Sequence, residues 1–300
     1  MSHVAMFAGQ GAQKPGMGKR LYDESILVRK LFDEAAAELH IDLASIIFNG
    51  SQEELTRSDV CQPAIFTVSF ASWLVFKERF PQARFVCAGG LSLGEWGALC
   101  AAEVVTFSQT LKILQARGRF MQDACEAVPS AMVAVVGASP SQIEELEGLT
   151  GCTVANVNSP QQIVLSGSKE EIALAVQKAK ELGIKRAIRL ETAGAFHSKF
   201  MQRARDRLQE VLEGMEFMPP KMPVLSNVTG RGHPQDPGAI RELMLRQVTE
   251  KTNWAADVET ARALGGKVFV EFGPGKVLGG LVKKIDPALE TANAEDLIFG

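Results

Sequence analysis

Gly90-Leu91-Ser92-Leu93-Gly94 follows the apolar run Phe85-Val86-Cys87-Ala88, and the two together read as a buried strand ending in a G-x-S-x-G turn. A strand-to-helix turn this sharp pushes its serine out of the backbone envelope, and glycines two residues to either side leave room for the close approach. Ser92 is therefore the candidate covalent nucleophile, with an ordinary helix N-cap as the plainer alternative. The segment from Ser92 to about Glu103 reads as the helix after the turn, so the site begins at a strand-turn-helix unit.

Working outward, Val4 to Ala8 is a short apolar strand broken by Gly9-Gln10-Gly11-Ala12-Gln13, and a helix is expected from about Leu21 to His40. Pro63 suits the first position of a buried helix running to Phe80, and Thr106-x-x-Gln109 is a capping box opening another helix through Leu111, Leu114 and Met121. From about Ser130 the texture changes. Strands at Met132 to Val136, Cys152 to Val157, Gln161 to Ser166 and Arg186 to Leu190, with helices at Ser141 to Leu149 and Lys169 to Leu182, give a βαββαβ order. That order predicts an inserted ferredoxin-like module at 129–193 within a large subdomain formed by 1–128 and 194–300. A helix beyond Ser198, a strand near Pro223 to Ser226 and a final strand Val268 to Glu271 return the chain to the large part, whose sheet is expected to be mostly parallel.

The 300 residues are 46% hydrophobic, enough for a large core, and 32 basic against 35 acidic residues give a net charge of -3 with the signs interspersed. No broad basic face is expected for nucleic acid or an anionic membrane, so an anionic ligand must be met locally. The N-terminal residues lack a charged-then-apolar leader, and no run approaches 18 uninterrupted apolar residues, which points to a cytoplasmic protein. The five cysteines, at 61, 87, 100, 125 and 152, form no C-x-x-C pair, and reduced thiols are expected.

A serine hydroxyl needs a base within reach, and there are four histidines to supply it. His3 precedes the first strand, His40 ends a helix, and His233 lies in Gly230-Arg231-Gly232-His233-Pro234, read as a solvent-facing loop. His197 sits in the small-residue turn Gly194-Ala195-Phe196-His197-Ser198, where a side chain can enter an interdomain cleft; a locally bonded helix-end histidine is the alternative. Arg117 lies on an otherwise apolar helical face and must find a partner, either a structural carboxylate or the carboxylate of a ligand, a contact worth about 1.5 to 3 kcal/mol. Arg119 points to another face, toward solvent. If the first strand neighbours the strand before Ser92, the backbone N–H of Gln10 and that of Leu93 together make an oxyanion hole; the alternative for Gly9 to Gln13, a phosphate loop, lacks the required glycine spacing.

In combination these segments resemble the malonyl-CoA:acyl carrier protein transacylases and the acyltransferase domains of polyketide synthases. The similarity runs through almost the whole chain: Gly9-Gln10-Gly11-Ala12-Gln13, Ser92-Leu93-Gly94-Glu95, Arg117-Gly118, Gly194-Ala195-Phe196-His197-Ser198 and Glu271-Phe272-Gly273-Pro274-Gly275. The resemblance implies an α/β fold, an α/β-hydrolase-like large subdomain with a ferredoxin-like small one. It implies ping-pong malonyl transfer from malonyl-CoA to the phosphopantetheine thiol of an acyl carrier protein, with no cofactor or metal. Ser92 would then be the nucleophile, His197 the base and Arg117 the carboxylate clamp, with Met121, Phe196, Leu91 and Asn253 lining the substrate pocket and Phe196 disfavouring a 2-methyl branch. Two positions depart from the family. Leu91 stands where a histidine is usual, and Asn253 in Thr252-Asn253-Trp254 occupies a position resembling the glutamine or arginine whose backbone carbonyl orients the imidazole. An acyl hydrolase on the same scaffold and a non-catalytic carrier-docking module are the alternatives; acidic carriers would meet Lys185, Arg186 and Lys199.

Overall fold

In a computed structural model describing residues 2–300, so that Met1 lies outside it, the strand Ser2–Phe7 runs through the middle of a four-stranded sheet. Its neighbours are Arg84–Gly90 on one side and Val268–Phe272 on the other, with Glu290–Asn293 at the edge, and every pairing is parallel. A central parallel strand is covered on both faces, and accordingly Val4, Ala5, Met6 and Phe7 are all at most 1% exposed. Phe7 stacks on Phe272, and Trp73, Phe76 and Phe85 close around the pair. The register places Phe7 opposite Gly90, so the Gly9–Gln13 loop and the Ser92 turn leave the sheet side by side.

Residues 130–189 build a second, antiparallel sheet in the order Thr153–Ser159, Gln162–Ser168, Ser130–Val136, Arg186–Arg189. The two helices of this segment, Pro140–Thr150 and Lys169–Glu181, each open with a complete capping box and bury Ile143, Leu146, Ile172 and Ala175 against the sheet. This is the expected βαββαβ topology. Its Thr153–Ser159 strand is tied to the rest of the chain through Thr252, which donates its N–H to Ala155 O (2.8 Å) and accepts the N–H of Val157 on its carbonyl (2.8 Å).

Several boundaries differ from the sequence expectation. The helix expected over Leu21 to His40 is two, Lys19–Glu24 and Ile26–Leu39, because Ser25 is extended and caps the second through its side chain. Pro63 lies inside the helix Ser58–Arg79 rather than at its start: the polar turn before it is helical too, and an absent N–H this near the N-terminus forfeits a single backbone bond. That helix is long and apolar enough, by length and composition alone, to cross a membrane, yet most of it is buried in the protein core. The strand expected at Pro223 to Ser226 shrinks to Leu225–Ser226, paired with Arg231–Gly232, plus a single bridge from Val224 to Ala88. The last strand is Glu290–Asn293, not Val268–Phe272. All five cysteines are free and buried, and desolvation pushes the thiols of Cys61, Cys87, Cys100 and Cys125 up to about 12, which leaves them unreactive.

The glycines around Ser92 serve close approach. A methyl group on Gly94 would overlap the Phe7 carbonyl oxygen, and one on Gly90 would overlap the Gly94 backbone. Gly94→Ala therefore must separate the Leu93–Ala101 helix from the central strand, and it is expected to destabilise the fold by about 1–3 kcal/mol. Denaturant unfolding measures this, and a midpoint equal to that of the unsubstituted protein would contradict the packing described.

Candidate active site

Ser92 joins the Arg84–Gly90 strand to the Leu93–Ala101 helix with φ 55° and ψ -104°, a conformation that costs a non-glycine residue about 1–3 kcal/mol. Three bonds hold it there: its N–H donates to Asn227 Oδ1 (2.6 Å), and its carbonyl accepts from Gln247 Nε2 (2.9 Å) and from the Glu95 N–H (3.2 Å). The hydroxyl makes no capping bond to the helix, which removes the plain N-cap reading. Instead Oγ accepts from Arg117 Nη2 at 3.0 Å.

Arg117 is 1% exposed on the Phe107–Ala127 helix. Its other contacts are to Gln62 Oε1 (2.8 Å, from Nη1) and Gln247 Oε1 (3.1 Å, from Nη2), and its Nε has no partner. Among the described residues no carboxylate pairs with it, so the structural salt bridge considered as an alternative is not there. Burial lowers its pKa to about 10, partly opposed by the charge of Glu95, and the guanidinium stays protonated at neutral pH. Arg119 is exposed, as expected.

His197 also has a positive φ, 55°, in the turn after the small sheet. The turn is fixed by Ala195 N–H to Ser130 Oγ (3.0 Å), Ser166 Oγ–H to the Phe196 carbonyl (2.7 Å) and Ser198 Oγ–H to the Ala195 carbonyl (2.6 Å). Nδ1 of His197 lies 2.7 Å from the Gln247 carbonyl oxygen, which can only accept, so Nδ1 carries the hydrogen and Nε2 is left as the acceptor. No hydrogen bond joins Ser92 and His197; they meet through Gln247, whose side chain holds Ser92 and whose backbone holds the imidazole. Burial first, and the charge of Arg117 second, push the His197 pKa down to about 4, against the bond to Gln247 that pulls it up.

The backbone N–H groups of Gln10 and Leu93 have no protein partner among the described residues, and the Gly9–Gln13 loop packs on the turn so closely that a Cβ at Gly9 would lie 2.6 Å from the Leu91 carbonyl oxygen. The Gln10 side chain donates to Ser58 Oγ (3.2 Å) and accepts from Gln62 Nε2 (3.5 Å), linking that loop to Arg117 through Gln62. Met121 is buried with Sδ 3.7 Å from Gln62 Nε2, Phe196 is buried beside His197, and Leu91 is half-buried against the apolar cluster of Val4 and Met6. Lys185, Arg186 and Lys199 are exposed.

Two expectations are corrected. Asn253 does not orient the imidazole: it caps the Trp254–Ala263 helix, accepting from the Ala256 N–H (3.3 Å), and the carbonyl that holds His197 is that of Gln247. His233 is not solvent-facing; its side chain is fully buried with Nε2 2.6 Å from Glu95 Oε1. The reading missed Gln247, Gln62, Asn227 and Glu95. Gln62 and Gln247 did leave a signal, an uncharged amide on the buried face of an apolar helix, where an unsatisfied amide is costly.

With this geometry in hand, the comparison with known proteins is specific. The family described as "Acyl transferase domain" matches residues 4–293. The chain belongs to this family. It is 39% identical over 302 residues to the malonyl CoA-acyl carrier protein transacylase of Bacillus subtilis, covering 99% of this chain and 94% of the relative, and 36% identical over 293 residues to that of Escherichia coli, covering 96% and 94%. Among solved structures it resembles an acyl-carrier-protein-S-malonyltransferase from Bartonella henselae (TM-score 0.93, 33% identity, 98% of this chain and 95% of that one). A type II PKS acyl-carrier protein in complex with its malonyl-transacylase matches as well (TM-score 0.93, 35% identity, 98% and 96%).

The depressed pKa of His197 has a sign that can be checked. An ordinary histidine at pKa 6.5 would halve its supply of free base at that pH, whereas this acyltransferase is expected to keep its rate of Ser92 acylation level from pH 7 to about 5.5. The same shift costs stability on the acid side. As pH falls from 6.5 toward about 4, the unfolded chain takes up the proton that the folded imidazole refuses. A rate profile with an acid limb centred near 6.5 would contradict the burial of the base.

Proposed function

We propose that this acyltransferase moves a malonyl group from malonyl-CoA to the phosphopantetheine thiol of an acyl carrier protein through an acyl-serine at Ser92. The observation that carries the reading is Arg117: a buried guanidinium with no carboxylate of its own, bonded to the oxygen of the nucleophile. A cation so placed is stabilised when an anion arrives, and the distal carboxylate of malonyl suits its planar fork while an acetyl group offers nothing to it.

In the first half-reaction Ser92 Oγ attacks the thioester carbonyl carbon as its proton passes to His197 Nε2. The carbonyl oxygen becomes the oxyanion, received by the N–H groups of Gln10 and Leu93, which have no protein partner. The C–S bond then breaks, and the proton on His197 goes to the departing coenzyme A thiolate. In the second half-reaction the carrier thiol gives its proton to His197 and attacks the acyl-serine; collapse breaks the C–O bond and returns the proton to Ser92 Oγ. Gln247 holds the base in the tautomer these steps need and keeps Arg117 beside Oγ. The Arg117–Oγ bond holds the guanidinium where it can pass to the malonyl carboxylate as Oγ becomes the reacting atom. Met121 and Phe196 wall the acyl pocket, and Lys185, Arg186 and Lys199 face an acidic carrier. On a division into 1–128 with 194–300 and 129–193, Ser92 and His197 both belong to the large subdomain, His197 just past its junction with the small one, and five buried free thiols suit a reducing cytoplasm.

Incubation with malonyl-CoA followed by denaturation and intact mass measurement is expected to show one malonyl group on Ser92, absent in Ser92→Ala. Arg117→Ala is expected to lose about 10- to 100-fold in malonyl labelling while acetyl labelling changes far less. Equal losses for the two thioesters would remove the carboxylate clamp from the mechanism.

A further inference from the structure

Beneath the Ser92 turn lies a buried polar cluster that the mechanism does not use directly. Glu95, on the first turn of the Leu93–Ala101 helix, is 0% exposed and takes three hydrogen bonds. His233 Nε2 lies 2.6 Å from Oε1, while Oε2 accepts from Gln247 Nε2 (2.6 Å) and from the Asn227 N–H (3.2 Å). A carboxylate can only accept, so Nε2 of His233 carries the hydrogen, in keeping with its partnerless Nδ1. The remaining titratable group facing this cluster is Asp257, whose pKa burial and the charge of Glu95 raise well above the ordinary carboxylate value. Its Oδ2 accepts from Asn227 Nδ2 at 2.7 Å.

The consequence falls on Gln247. An amide has one donor end and one acceptor end, and an acceptor-only neighbour at 2.6 Å fixes which end it meets. With Nε2 committed to Glu95 and to the Ser92 carbonyl, Oε1 must face the other way, 3.1 Å from Arg117 Nη2. Reversed, the amide would set its NH2 group against a guanidinium that also has only donors. We propose that Glu95 is the positioning residue of the carboxylate clamp: by accepting from Gln247 it turns the amide oxygen onto Arg117 and so aims the guanidinium at the acyl pocket. Glu95 also supplies negative charge that supports the buried cation without a hydrogen bond to it, which leaves the Nε–H and one Nη1–H of Arg117 without a protein partner among the described residues. This inference rests on the clamp reading of Arg117 given above and adds to it the residue that sets the clamp.

The test compares rates of Ser92 labelling by malonyl-CoA and acetyl-CoA in the full chain carrying Glu95→Gln, Glu95→Asp or Arg117→Ala, each checked by thermal melting. Glutamine can meet Gln247 with either end and removes the charge; aspartate keeps the charge and withdraws the oxygens by one methylene. Glu95→Gln is expected to lower the malonyl-to-acetyl rate ratio at least about tenfold, and Glu95→Asp by a smaller factor in the same direction. A purely structural role would slow both thioesters alike, so an unchanged ratio for Glu95→Gln beside a lowered ratio for Arg117→Ala overturns the positioning role and leaves the clamp standing. An unchanged ratio for Arg117→Ala overturns the clamp and this inference with it. If Glu95→Gln does not fold, Glu95→Asp decides by the same comparison.

Discussion

A guanidinium buried without a carboxylate partner organises this protein's centre. Taking such a group out of water is expensive, and here the compensation comes from amide oxygens, Gln62 and Gln247, and from the hydroxyl oxygen of Ser92. Each of these partners is itself fixed by something else: Gln62 by the core helix it sits on, Gln247 by Glu95 and the Ser92 carbonyl, Ser92 by Asn227. The cation therefore stays charged, stays in place, and retains unused donor capacity.

The second constraint is backbone strain at Ser92 and His197. Ser92 and His197 each adopt positive φ, a conformation that persists only where the surroundings over-determine it. At Ser92 the surroundings are the glycine-lined contact with the central strand and the bonds to Asn227 and Gln247. At His197 they are three serine and backbone bonds within the turn and from the small sheet, together with the Gln247 carbonyl. Gln247 is common to both, so Ser92, His197 and Arg117 are referenced to one side chain and one peptide group on the Pro237–Thr249 helix.

The parts of the site legible in the sequence were those written in local chemistry. The glycines around Ser92 announced a tight turn, the small residues around His197 announced another, and a lone arginine on an apolar helical face announced a buried cation. The Thr106 and Gln109 capping box set a helix start correctly, and the βαββαβ order of residues 130–189 followed from alternating periods. What misled was equally local: the glycine- and proline-rich stretch around His233 looks solvated and its neighbours Arg231 and Gly232 are exposed, yet the His233 side chain turns inward to Glu95. Asn253 was placed beside the imidazole only by resemblance to a family position, but its carbonyl accepts from the Asp257 N–H and its side chain from the Ala256 N–H, both within its own helix start.

By itself the sequence determined the α/β architecture, the two sheets and the membership of an acyltransferase family, and it nominated Ser92, His197 and Arg117 as candidate site residues. The architecture and the candidate residues follow from periodicity, turn residues and residue type, which act over a few positions, and the family follows from the resemblance of five ordered segments between Gly9 and Gly275. Only the tertiary structure decided that Gln247 bonds to Ser92, His197 and Arg117, that its amide also meets Glu95 beside His233 and Asn227, and that Arg117 has no carboxylate partner among the described residues. Such facts depend on hydrogen bonds between residues as much as 155 positions apart, and their donor and acceptor polarity exists only once the chain has closed around them.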